Sequence, residues 1–388
     1  MKYIHRTLEK SLSDAARGFP AVVLSGPRRA GKTWLLKHLY PHAGYVLLED
    51  PDVVARVRND PHGFLDAVQT PVILDEIQVL PELFAYIRAR IDKNPRKLGQ
   101  WLLTGSQEAP LMQNVSESMS GRAAILQLWP LSTAESPGVS LLKGGYPEVL
   151  ARPKQAALWF ASYVQTYLER DVRAITAVKD LATFRRFLAL VASRHGQMLN
   201  KTSFAAPLGV SVPTITQWLS VLEISGQILI VPPFYENLGK RLVKSPKIYL
   251  TDSGLACHLL GIESELELER SPFRGALFEG FVAAEIVKRQ IHSGRRRELY
   301  YFRDEQGLEV DFMIPRQGGN VGLVECKAGK TVFPDMAKPM LQLGFAFEKT
   351  HKRQVEGFLV YQSSRSDAIS AVAPGVRALP CRDFLAIV

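Results

Sequence analysis

Short apolar runs alternate with helical periodicity through the first third of the chain. Ala21-Val22-Val23-Leu24-Ser25, residues 45–48, Val72-Ile73-Leu74-Asp75, Trp101-Leu102-Leu103-Thr104 and Ala123 to Leu128 have strand length. Between them lie helical patterns such as Trp34, Leu35, Leu36 and Leu39. Strands alternating with helices predict an α/β unit with a parallel sheet over residues 1–150. From 156 to 195 the spacing becomes helical, with Trp159, Tyr163, Tyr167, Phe184, Phe187, Leu188 and Val191 read as core. A helix Lys201–Leu208, a turn Gly209-Val210-Ser211, a helix Val212–Ser225 closed by Gly226 and a strand from Ile228 follow. That order describes a winged helix-turn-helix within a middle unit, residues 151–262. The charged segment Glu263–Arg270 reads as a linker. A third unit, 263–388, then opens with a helix from about Phe273 to Ile291 and strands Leu299–Phe302, Leu308–Ile314 and Gly322–Cys326.

The run after the first strand carries chemistry. Gly26-Pro27-Arg28-Arg29-Ala30-Gly31-Lys32-Thr33, followed by Trp34, is GxxxxGKT between a strand and a helix. Glycines let the backbone wrap phosphates, and the N–H groups at a helix start point at them with a favourable dipole. Lys32 reaches the β- and γ-phosphates of ATP and the Thr33 hydroxyl binds Mg2+. Asp75 and Glu76 end a second apolar strand, which assigns Asp75 to Mg2+ through its hydration shell and Glu76 to the attacking water. Ser106, favoured over Thr104, ends a third strand as a γ-phosphate sensor or as an ordinary turn. Arg122 either stabilises transition-state charge, in cis or across a subunit boundary of a homo-oligomer, or forms a surface salt bridge.

In the third unit, Glu279 sits on the helix and Asp311 follows a hairpin turn at Gln306-Gly307. Glu325 and Lys327 share one face of the next strand by period-2 alternation, with Cys326 turned away. Glu285 reads as a solvated helix charge.

These motifs resemble the AAA+-type P-loop ATPases. They are closest to prokaryotic AAA-family ATPases that carry a C-terminal domain of unknown function, through Ser25–Thr33, Leu74-Asp-Glu-Ile-Gln78, Leu103-Thr-Gly-Ser106, Gly121-Arg122, Gly144-Gly-Tyr-Pro-Glu148 and Tyr163–Arg173. The resemblance implies a Mg2+-dependent ATPase and a winged helix. The third unit resembles the PD-(D/E)xK nuclease superfamily, a restriction-endonuclease-like α/β fold, although Val310 stands where the motif has Pro. That likeness assigns Asp311 and Glu325 to Mg2+ or Mn2+, Lys327 to water and Glu279 to a supporting metal role. Such folds also persist as inactive binding domains, so cleavage stays open.

Composition adjusts this picture only at its edges. The 388 residues suit two or three domains, at roughly 100–200 residues each. The formal charge of +10 favours DNA as partner or marks a merely basic soluble protein. Lys240, Arg241, Lys244 and Lys247 cluster on the expected wing, and Arg295-Arg296-Arg297 beside the long helix, where they grip phosphates or solvate a loop. The polar residues of the second helix, Ser211, Thr214, Thr216, Gln217 and Ser220, carry no charge, so direct DNA contact and a protein-docking role both stay open. Three dispersed cysteines exclude a disulfide framework or structural zinc site. No apolar run reaches the ~20 residues that span a bilayer, and the expectation is a cytoplasmic protein without membrane contact.

Overall fold

All five residues of β1 (Ala21–Ser25) are buried, because the strand lies inside a sheet covered on both faces. In the computed structural model, which describes residues 3–106, 118–168, 181–234, 244–351, 353–363 and 370–388, β1 pairs in parallel with β4 (Trp101–Gly105) and β5 (Ala123–Gln127). With β2 (Gly44–Leu47) and β3 (Val72–Asp75) the order is β2-β3-β4-β1-β5. Alternation divides the strands between two apolar layers. Val22 and Leu24 meet Leu12 of α1 (Glu9–Gly18) and Leu35 and Leu36 of α2 (Lys32–Leu39). Ala21 and Val23 face the other cluster, with Val57 of α3 (Pro51–Asn59), Phe64 of α4 (Pro61–Ala67) and Ile87 of α5 (Leu83–Lys93). At about 1.5–3 kcal/mol for each fully buried Val, Leu or Phe, these layers hold the strand ends rigidly enough to carry a site.

Next come helices Ala156–Tyr163, Leu181–Ser193, Lys201–Leu208 and Val212–Ile224, then an antiparallel pair β6 (Ile228–Val231) and β7 (Lys247–Leu250). Asn200 and Ser211 cap the last two helices, and Gly209 (φ +65°) makes the turn between them. The segment Glu263–Arg270 is not a linker. Ser264 and Glu267 form a capping box for a helix, Glu265–Arg270, that buries Leu268.

The third unit is a mixed six-stranded sheet. Its order is β12 (Ser370–Ala373), β13 (Val376–Pro380), β11 (Val355–Tyr361), β10 (Val321–Lys327), β9 (Glu309–Pro315), β8 (Tyr300–Arg303). The long helix Arg274–His292 and the terminal helix Cys381–Ile387 lie over one face, and the helix Lys338–His351 packs with Met340, Leu343 and Phe347 on the other. One apolar cluster runs from Trp129 through Leu222 and Phe281 to Phe358, so the middle and third units share a core. Part of the motif Tyr163–Arg173, together with Lys240 and Arg241, lies outside the described residues. No helix among the described residues is long and apolar enough to cross a membrane.

Candidate functional site

β1 delivers the chain into a loop that needs glycine. Gly26 has φ +138°, and a Cβ there would sit 2.1 Å from the Leu128 carbonyl oxygen. Arg29 (φ 63°) and Gly31 (φ +99°) are also left-handed, so residues 26–31 curl around the start of α2. Unpaired N–H groups at a helix start and the helix dipole favour an anion at this point. Lys32 opens α2 and is buried, its Nζ donating to the carbonyls of Gly26 (2.8 Å) and Pro27 (3.0 Å). Thr33 donates its hydroxyl to Asp75 (2.9 and 3.1 Å to the two oxygens).

Asp75 is held from several sides. Tyr45 donates to Oδ2 at 2.9 Å and the Thr104 hydroxyl donates to Oδ1. Glu76 turns away from the strand in a left-handed conformation (φ 60°), which costs a non-glycine residue roughly 1–3 kcal/mol. Its Oε2 accepts from Ser106 Oγ (2.9 Å) and from Gln78 Nε2, and Arg28 Nη1 lies 4.0 Å away. Burial pushes the Glu76 carboxyl upward, but Lys32, Arg28 and the two hydrogen bonds outweigh it and hold Glu76 below the ordinary carboxylate range.

Lys32, Thr33, Asp75 and Glu76 line one cavity of about 390 Å3, together with Arg28, Arg29, Gly31 and the half-exposed Trp34. Tyr3, Ile4 and Leu131 supply apolar walls, and Glu148 of the Gly144–Glu148 motif reaches the same space. Ser106 is tied to Glu76, whereas Thr104 serves Asp75. Arg122 stands apart from this cavity: its guanidinium pairs with Asp92 (2.6 and 3.1 Å) on the exposed surface, the salt bridge of the two readings left open. The Thr33–Asp75 contact brings a hydroxyl and a carboxylate to one point beside the phosphate loop, an oxygen donor set that suits Mg2+.

A second polar cluster lies in the third unit. Glu325 and Lys327 share a face as alternation requires, and Lys327 donates to Glu325 Oε1 at 2.7 Å. Asp311 on the adjacent strand accepts from the Cys326 amide (2.8 Å). Burial, then the neighbouring Glu279, pushes the Asp311 carboxyl up to about 7; burial, then Asp311, does the same to Glu325. Glu325 Oε2 is buried without a hydrogen-bond partner. Asp311, Glu309 and Glu325 open onto a cavity of about 840 Å3. Two carboxylates, one with a bare buried oxygen, suit a hard divalent cation that keeps part of its water. Among the described residues no three His, Cys, Asp or Glu side chains form an all-protein metal cage.

Lys247 corrects the sequence reading. It is not a wing residue facing a nucleic-acid backbone; it is 3% exposed and donates to Glu279 (2.9 Å), with Glu309 at 2.7 Å and Asp311 at 3.9 Å. Lys247 opens β7, and alternation turns it and Tyr249 to one side, where the Tyr249 hydroxyl also donates to Glu279 (2.5 Å). Burial pulls the Lys247 ammonium down, but Glu279, Asp311 and Glu309 outweigh that and raise it above the usual lysine range. Glu279 therefore reaches the cluster through a lysine. On the helix Val212–Ile224, Thr216 and Ser220 spend their hydroxyls on carbonyls of their own helix, and Ser211 caps it.

Glu285 also differs from expectation. It is 2% exposed, not solvated: Thr133 donates to it through both N–H and hydroxyl (2.7 Å each), and Lys288 at 2.9 Å. Lys288 donates as well to the Leu131 carbonyl (3.1 Å), and His292 Nε2 accepts from the Trp129 amide (3.0 Å). The long helix is thereby fixed to the segment after β5. Arg6, absent from any motif, completes the connection by donating to the carbonyls of Ala30 (2.9 Å) and Trp129 (2.6 Å), with Nε 3.1 Å from Glu135. His292 Nδ1 lies 3.3 Å from the same Glu135 oxygen.

Against known proteins, residues 18–136 match the AAA domain family model. Residues 139–266 and 274–384 match two domains of unknown function, DUF8612 and DUF4143. Uncharacterized proteins of Mycobacterium tuberculosis and Mycobacterium bovis are each 33% identical to this chain over 337 residues, spanning 85% of it and 74% of the relative. Among solved structures, the Walker-type ATPase PABY2304 of Pyrococcus abyssi aligns with 65% of this chain and 94% of its own, at 16% identity and a TM-score of 0.41.

Proposed function

The chain belongs to one family with its mycobacterial relatives and carries an AAA domain over residues 18–136, and from that premise we propose that it is a Mg2+-dependent ATP hydrolase acting on DNA. The observation that carries the ATPase part is the convergence of Lys32, Thr33, Asp75 and Glu76 on one cavity. The loop N–H groups and Lys32 hold the phosphates, Lys32 exchanging the Gly26 and Pro27 carbonyls for phosphate oxygens. Mg2+, when bound, offsets charge on the β- and γ-phosphates, and Thr33 and Asp75 are its holders. Glu76, kept ionised by Lys32 and Arg28, orients the attacking water and accepts its proton, while Ser106 and Gln78 fix its rotamer. Arg122 is assigned no role within a single chain; a role across a subunit boundary requires release from Asp92.

For the third unit the proposed activity is phosphodiester cleavage. Asp311 and Glu325 hold the cation, which supplies charge compensation at the phosphate, and Lys327 positions water. The bare buried oxygen of Glu325 supports this reading. The order of helix, turn, helix and β6–β7 pair supports a winged-helix reading of the middle unit, and exposed Lys244 with Arg295–Arg297 are the basic groups proposed to meet DNA. A second reading has a specific observation in its favour: Lys247 already offsets charge on the Glu279–Glu309 side of the acidic cluster, as in a nucleotide-switched regulator whose nuclease-like fold only binds. Cytoplasmic location and the three-unit division at 150 and 262 are part of the same proposal.

Lys32→Ala is expected to abolish ATP turnover and Glu76→Gln to leave an ATP-bound form; full hydrolysis by either rejects the site. Cleavage is tested with Mg2+ or Mn2+ on single-stranded, duplex and branched DNA, beside Asp311→Ala and Lys327→Ala. Salt-sensitive binding without cleavage selects the regulator. Absence of salt-sensitive binding removes DNA as the partner.

A further inference from the structure

We propose that Lys247 occupies a cation position in the acidic pocket of the third unit. The pocket then takes one divalent ion beside Asp311 and Glu325, and takes a second only when the lysine is removed. The inference rests on the metal reading of Asp311 and Glu325 given above.

Four carboxylates gather here: Glu279 from the long helix, Glu309 and Asp311 from β9, and Glu325 from β10. Lys247 and Lys327 offset two of these charges and Arg303, 2.9 Å from Glu309, a third, so the charge left over lies on the Asp311–Glu325 side. The positive groups divide the pocket. Lys247 lies against Glu279 (2.9 Å) and Glu309 (2.7 Å) but is 3.9 Å from Asp311. On the opposite side Glu325, 8% exposed, keeps Oε2 without a partner next to the open cavity. Room for an ion is therefore on the Asp311–Glu325 side, and the Glu279–Glu309 side is filled.

The filling group comes from the neighbouring unit and cannot drift. Lys247 pairs with Val231 in the β6–β7 ladder and bridges to Met198, and its Nζ sits 5.5 Å from the centre of the Tyr301 ring. An ammonium offers three donors from one point, so it bridges several carboxylates as a metal ion does while supplying half the charge. Lys247 thus removes Glu279 from the metal ligands and joins the middle unit to the pocket.

The test uses nucleotide-free full-length protein and Mn2+ alone, with bound ion counted by electron paramagnetic resonance and titration calorimetry. All variants carry Asp75→Ala to silence the nucleotide-associated ion, and circular dichroism checks folding. Wild-type residues at the pocket are expected to bind one Mn2+, lost in Asp311→Ala. Glu279→Gln is expected to keep that ion within about threefold, because the lysine, not the metal, engages Glu279. Lys247→Met is expected to bind a second Mn2+ or to hold the first at least tenfold tighter.

Lys247→Met folded, with unchanged stoichiometry and affinity, overturns the inference and leaves the metal site standing. A loss of Mn2+ in Glu279→Gln as large as that in Asp311→Ala also overturns it, and this variant serves if Lys247→Met does not fold. Manganese bound by Lys247→Met but not with Lys247 present also overturns it, since one ion is expected beside Asp311 and Glu325 with the lysine in place. No Mn2+ with or without the lysine rejects the metal reading itself.

Discussion

Arg6→Met removes a guanidinium that the motifs never mention, and the structure gives it a large cost. The Arg6 and Glu135 side chains are 5% and 2% exposed, with Arg6 Nε 3.1 Å from the carboxylate. Truncating one partner of a buried pair costs about 3–5 kcal/mol, because the other charge is left without compensation. Losing the bonds to Ala30 and Trp129 falls within that figure, since the groups act as one network. Against a total stability of about 5–15 kcal/mol, Arg6→Met should remove a large fraction of what holds the chain folded. Urea denaturation of Arg6→Met, Glu135→Gln and the double variant measures this, and the double variant should recover at least about 2 kcal/mol relative to the sum of the singles.

The pH dependence has a defined sign. Burial would raise the Glu135 carboxyl, but His292, Arg6 and the Ser132 amide outweigh it, so its folded pKa is below the unfolded value. Its stabilising contribution is complete above the unfolded value of about 4.3 and fades as pH falls toward the folded one. The stability gap between wild type and Arg6→Met should therefore shrink below about pH 4. A pH-independent gap, with coupling under about 0.5 kcal/mol, would refute the buried-pair argument.

Other perturbations test separate parts of the structure. Gly26→Ala forces a Cβ to within 2.1 Å of the Leu128 carbonyl at φ +138°, so nucleotide binding should weaken more than tenfold in equilibrium titration while the melting curve stays cooperative. Thr104→Val removes one donor from Asp75 without changing shape; ATP turnover should fall several-fold with the nucleotide dissociation constant nearly unchanged, and an unchanged kcat would deny Thr104 its positioning role. Glu285→Ala leaves Lys288 buried beside the Leu131 carbonyl alone. It should cost about 3–5 kcal/mol by denaturation, and a cost below about 1 kcal/mol would restore the reading of Glu285 as a solvated charge.

What the sequence revealed depended on how local each feature is. The phosphate loop was legible because its geometry is written in eight consecutive residues, and Asp75-Glu76 because a strand end fixes them. Glu325 and Lys327 followed from period two. Lys247 has the same periodicity but sits beside Lys240, Arg241 and Lys244, so its charge reads as part of an exposed run until β7 is paired. Arg6 and Glu135 could not be placed, since Arg6 meets Trp129, a residue 123 positions away, in a segment without periodicity. Glu285 did leave a signal. Glu285, Lys288 and His292 follow i, i+3, i+7 spacing, one polar stripe on a helix that is apolar from Phe281 to Ala284 and at Ile286, Val287 and Ile291. A helix buried on most sides has no solvent for such a stripe, so it must meet polar groups elsewhere in the protein.

That stripe decides how the two sites are joined. Glu279 and His292 lie on the same helix, about 20 Å apart at 1.5 Å per residue. One end answers to Lys247 and Tyr249, the other to Glu135 and the Trp129 amide. Arg6 holds the Trp129 carbonyl and the phosphate-loop carbonyl of Ala30 with one guanidinium. The middle unit also touches that loop: a Cβ at Gly226 would come within 2.9 Å of Pro27, and the Tyr163 hydroxyl is 3.5 Å from the Arg28 carbonyl. A flexible tether between the AAA unit and the third unit would need none of these buried polar contacts. Each costs desolvation that only fixed geometry recovers, so the phosphate loop, the middle unit and the acidic pocket are built to keep one relative placement.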